Sequence, residues 1–165
     1  MFNLTLTTYD IIYIEGGILM ANILNVAQYV ISKTGEITTL KLQKLVYYCQ
    51  AWSLAWDGKP LFNEDFEAWA NGPVNPRLFR EHQGRFTIDE HFFDKYKYNG
   101  FTDDEKETMD IVINDLGEKD SQWLSDLTHS ERPWKEARAG CLPGERCSNV
   151  ISKEVMQDYY SGLIQ

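Results

Sequence analysis

Ile23, Val26, Ala27, Val30 and Ile31 recur at intervals of three and four, so residues 22 to 34 carry one apolar face and are predicted to form an amphipathic helix closed by Gly35. A second stripe, Leu42, Leu45, Val46, Cys49, Trp52, Ser53 and Trp56, predicts another helix, capped by Thr38 or Thr39 and ended by Asp57-Gly58. Lys41, Gln43 and Lys44 fall off that stripe. Tyr47 and Tyr48 fall near its borders, where a ring can be buried while its hydroxyl reaches a partner. The period then changes. Phe66-Glu67-Ala68-Trp69 reads as a short strand, Gly72-Pro73 as a rigid turn, and Asn75 as the cap of a helix that starts at Pro76 and runs to residue 83. Arg85-Phe86-Thr87-Ile88 is placed to pair with that strand, ahead of an irregular aromatic region from His91 to Phe101.

Further on, Thr102 and Glu105 form a capping box before Met109, Ile111, Val112, Ile113 and Leu116, and Gly117 closes that helix. Ser121 opens a helix with Trp123, Leu124 and Leu127, and Pro133 starts another, because its fixed φ suits a first turn. Residues 139 to 144 read as loop. Ser152 caps a last helix bearing Val155, Met156, Tyr159 and Tyr160. The expected fold is mainly α with some β: a compact bundle of about six or seven helices, with a small two- or three-stranded antiparallel sheet inserted after the second helix.

A chain of 165 residues, 43% hydrophobic, can bury one ordinary core, and a single domain over residues 20–165 is expected. Residues 1–19 are set apart. Their apolar run, Ile11 to Ile14, lies between Asp10 and Glu15, too short to span a membrane, and no basic segment marks a secretory leader. Glu15-Gly16-Gly17 is encoded by purine-rich codons that can serve as a ribosome-binding site, so translation is expected to start at Met20, the alternative being a genuine extension. Three cysteines without a Cys-x-x-Cys pair point to neither a disulfide framework nor a zinc ribbon, and a cytoplasmic location is expected. Asp and Glu outnumber Lys and Arg by 25 to 16, a formal charge of −9 that repels phosphate backbones and argues against direct nucleic-acid binding. The acid concentrates between Asp103 and Asp120. That run reads first as a solvated helix face, and secondly as a docking surface for a basic protein.

No unit of catalytic chemistry is recognisable around His82, His91 or His129, and no nucleophile elbow, phosphate loop or zinc-protease helix occurs. His129, Cys141 and Cys147 fit no common zinc spacing, and Cys49 lies on an apolar helix stripe where cysteine is usually a small hydrophobe. Neither a catalytic residue nor a metal or other cofactor is expected.

Three segments, Lys44-Leu45-Val46-Tyr47-Tyr48, Phe66 to Val74, and His129 with Pro133-Trp134, occur in an order and spacing that resembles the Panacea domain of SocA-like antitoxins and GepA-type phage-associated proteins, from about Met20 onward. The resemblance implies an antitoxin, found on phages and mobile elements, that neutralises a toxin encoded beside it by direct protein contact. It also implies, for one type, an adaptor delivering the toxin to a cellular protease. Such a role requires aromatic or apolar anchors. The candidate partner contacts are Tyr47, Tyr48, Trp52, Trp69, Gly72, Pro73, Val74 and Trp134, with Lys44, Phe66, His129 and Pro133 as motif residues of structural character. The alternative function is a phage or mobile-element accessory protein, such as a proteolytic adaptor, without a toxin partner.

Overall fold

The computed structural model describes residues 20–164, and the reading of residues 1–19 as a stretch ahead of the true start lies outside them. Helices dominate, with a small antiparallel sheet between them. The order is α1 (Ile23–Thr34), β1 (Ile37–Thr38), α2 (Thr39–Trp56), β2 (Phe66–Trp69), β3 (Gly72–Val74), α3 (Pro76–His82), β4 (Thr87–Ile88), α4 (Asp103–Leu116), α5 (Ser121–Ser130), α6 (Arg132–Ala137), β5 (Val150–Ile151) and α7 (Lys153–Gly162). The caps explain where these helices begin. Asn22, Thr38, Asn75, Thr102, Asp120 and Ser152 each accept a hydrogen bond from a first-turn backbone N–H.

The sequence reading divides α2 into an apolar stripe and a polar remainder, and the structure corrects it: residues 42 to 51 are buried without a break, Gln43 and Lys44 included. The helix is the axis of the molecule, packed against α1, α4, α5 and α7. A helix covered on all sides needs partners for its polar side chains, and here four of them serve backbone outside the helix. Gln43 accepts from the Asn75 N–H at 2.9 Å and donates to the Asn75 carbonyl at 3.3 Å. Gln50 accepts from the Leu61 N–H at 2.8 Å and donates to the Phe62 carbonyl at 2.7 Å, while the Ser53 hydroxyl donates to the Lys59 carbonyl at 2.8 Å. Lys44 Nζ donates to the Pro73 carbonyl at 3.1 Å.

Three further points differ from expectation. Gly72-Pro73-Val74 is not a turn but a buried strand, and the turn is Ala70-Asn71, with Trp69 facing Gly72 and Glu67 facing Val74 in register. The segment around Thr87 and Ile88 pairs not with β2 but with β1, Ile37 opposite Ile88, because both isoleucines are buried and the Thr39 N–H extends the pairing to the Phe86 carbonyl at 2.9 Å. The third strand of the main sheet is β5, giving the order β3-β2-β5. Cys141 and Cys147 form a disulfide, which corrects the expectation that the cysteines stay unpaired: the turns between them bring their Cα atoms within 6.1 Å. Cys49 is buried, as its place on the apolar stripe implies, and burial pushes its thiol pKa well up. No helix among the described residues is long and apolar enough to cross a membrane.

Candidate functional site

The β2–β3 hairpin rests on the first turns of α2 and forms one side of an open cleft of about 420 Å³. Leu40 and Gln43 of α2 form its floor, Trp69 to Asn71 and Val74 of the hairpin one wall, Phe79 and His82 of α3 another, and Gly144 and Arg146 of the disulfide-closed loop the rim. Rigidity at the floor comes from hydrogen bonding. Besides holding Asn75, Gln43 Nε2 lies 3.0 Å from His82 Nε2, and burial lowers the His82 pKa, favouring the neutral ring that can accept there. The Trp69 ring meets Phe79 edge-on at 5.0 Å, and its indole N–H donates to Glu67 Oε2 at 2.6 Å.

Behind the hairpin lies a polar core that the sequence reading does not anticipate. Lys44 is fully buried, and loss of hydration pushes its pKa down to about 7. Gly72 makes room for it: at φ +110, a Cβ there would come within 2.5 Å of Lys44 Cε and 2.9 Å of Thr128 Oγ1. His129 stacks on Trp134 at 4.0 Å, and its buried Nε2 has no hydrogen-bond partner among the described residues. Burial, reinforced by the nearby Lys44 charge, lowers the His129 pKa, so the ring favours its neutral form. The Trp134 indole N–H donates to the Trp69 carbonyl at 2.9 Å, tying α6 to the hairpin.

Arg138, which the sequence reading passed over, completes the support. Its guanidinium lies over Trp134 and donates to three carbonyls, Ala68 at 2.9 Å, Leu142 at 2.7 Å and Glu145 at 2.9 Å. It therefore fixes the loop carrying Arg146 against the sheet. A signal was present: a lone arginine one helical turn beyond Trp134, ahead of a glycine- and proline-rich loop that needs donors for its carbonyls.

The structure separates the candidate contacts into groups. Trp69 and Val74 line the cleft; Gly72, Pro73 and Lys44 lie beneath it; and His129, Pro133 and Trp134 stand behind it. Tyr47 and Tyr48, expected to extend their hydroxyls to a partner, are buried, and so is Phe66. The Tyr48 and Tyr160 hydroxyls both donate to Glu131 Oε2, at 2.9 and 2.5 Å, and Tyr160 also lies 3.3 Å from the Tyr47 hydroxyl. Burial raises the Glu131 pKa while the two phenols work against that shift. Trp52 stacks on the exposed Trp56 near the other end of α2, about 20 Å along the helix from Thr39. The acid run is mostly a solvated face. Of its carboxylates, Glu105 completes the α4 cap and Asp110 accepts from the Tyr29 hydroxyl at 2.8 Å.

Comparison with known proteins agrees with the motif resemblance. Over 44 residues the chain is 48% identical to antitoxin SocA of Caulobacter vibrioides, a stretch covering 27% of this chain and 23% of that protein. No solved structure matches it. The model of the family described as antitoxin SocA-like, Panacea domain, matches residues 42–135, which run from the buried body of α2 through the hairpin to α6, and the chain belongs to that family.

Proposed function

We propose that this chain is an antitoxin that neutralises a toxin encoded by an adjacent gene through direct protein contact, acting by binding and not by catalysis. The observation that carries this reading is the family match over residues 42–135, supported by the stretch shared with antitoxin SocA. The matched segment contains the hairpin, the Lys44 and Gln43 network beneath it, and Trp134 behind it. A surface held this firmly loses little freedom when it docks, which favours affinity. The histidines have structural surroundings: His82 in the Gln43 network, His129 against Trp134, and His91 beside Asp94 at 2.9 Å.

The test is growth of bacteria in which each adjacent gene is induced alone and together with this chain. A neighbour that stops growth, and is rescued by co-expression, is the expected partner, and it should co-purify with the chain. Trp69→Ala should weaken rescue while leaving soluble, folded protein, because the ring is only partly buried. If no neighbour is toxic, or toxicity persists beside well-expressed protein, the antitoxin role falls.

A further inference from the structure

The chain has 25 Asp and Glu residues, and none of the described ones lines the cleft beside the hairpin. Its charged lining residue is Arg146, which is exposed and forms no ion pair or hydrogen bond with the described residues. Asn71, at the hairpin tip, is likewise exposed, and its side-chain amide is uncommitted among those residues. Three carboxylates lie within two positions of lining residues, and each has a hydrogen-bond donor: Glu67 accepts from the Trp69 indole, Glu81 from the Tyr96 hydroxyl at 2.9 Å, and Glu145 from the Leu142 N–H at 2.9 Å.

Between these polar groups lie the apolar Leu40, Trp69, Val74 and Phe79, while the lining Gln43 and His82 are engaged with each other at 3.0 Å. The apolar surface does not stop at the cleft. Phe86, whose carbonyl accepts from the Thr39 N–H at the cleft's edge, is 81% exposed. A buried apolar anchor beside a complementary charge is the usual composition of a binding hot spot. The acidic surface of α4 lies on a different element, so the charge of the whole molecule and that of this cleft have opposite signs.

We infer that this cleft receives a segment of the partner protein that inserts an aromatic side chain against Trp69 and Phe79 and places an adjacent carboxylate on Arg146. The occupant is thus acidic where it meets the hairpin, whatever its overall charge. The inference rests on the antitoxin reading for the identity of the partner, and on the cleft itself for the chemistry.

The probes are three capped dipeptides, Trp-Glu, Trp-Lys and Gly-Glu, titrated into the full ¹⁵N-labelled chain while the indole resonance of Trp69 is followed. Trp-Glu should shift it saturably and bind at least about threefold more tightly than either control, the scale of one partly exposed ion pair. Arg146→Glu should reverse the order of Trp-Glu and Trp-Lys without moving the thermal midpoint, since Arg146 holds nothing else. No saturable shift, equal affinity for the three probes, or an unchanged order in Arg146→Glu would each overturn the inference. If Arg146→Glu loses dipeptide selectivity yet rescues growth fully, this cleft is not the toxin site and the antitoxin role stands. If no neighbour is toxic, that role falls and the dipeptide result still judges the cleft.

Discussion

Lys44 shows how far one residue's chemistry can depart from its sequence character. A lysine is expected to be solvated, yet this one spans the core to donate to the Pro73 carbonyl, and its pKa falls to about 7 for want of water. The sign of the consequence follows. Between about 7 and the ordinary lysine value of 10.5, the unfolded chain holds a proton that the folded chain does not, so stability rises with pH across that window and is lost as pH falls through it. Urea midpoints of the wild type should therefore climb from pH 7 to pH 10 relative to those of Lys44→Met. Parallel pH profiles for the two proteins would show that Lys44 is charged and hydrated. Glu131 departs in a similar way, as a carboxylate that burial makes harder to ionise and that two tyrosines hold.

At the scale of elements, the decisive contact is β3 crossing α2. The strand can approach because Gly72 has no side chain, and it can be buried because Lys44 supplies the donor its Pro73 carbonyl needs. Gly72→Ala brings a Cβ within 2.5 Å of Lys44 at a φ of +110, combining an unfavourable backbone conformation with overpacking. The two effects together should cost about 3 kcal/mol, read as a lower denaturant midpoint with the slope unchanged. A shift under about 0.5 kcal/mol, the range of ordinary surface substitutions, would mean that the hairpin moves freely over the helix. The capped helix starts were legible because a cap is a local pairing of a side chain with the next turn. The sheet order was not, because the partner of β2 lies at Val150–Ile151, about eighty residues away, and two-residue strands carry no period of their own.

For the molecule as a whole, α2 reaches most of the other elements, and its buried polar residues fasten the loops as well as the helices. Unfolding by heat should therefore be one transition, with equal calorimetric and van't Hoff enthalpies. An early, separate transition in the cleft region would show that the hairpin and the disulfide-closed loop form their own unit. The candidate site was legible in part. Trp69 and Val74 belong to a motif visible in the sequence and line the cleft, whereas Arg146 comes from a loop whose composition says only that it is a loop.

The helix positions, their caps and the family's motif segments were determined by the sequence itself, since each is a relation among residues within a few turns of one another. Tertiary structure alone decided that Tyr47 and Tyr48 face inward, that Lys44 is buried, that Cys141 meets Cys147, and which side of the hairpin stays open. The physical reason is that burial belongs to the pair and not to the residue. A polar side chain enters the core when a distant stretch of backbone lacks the hydrogen bond it can make, and no local pattern records where that stretch will lie.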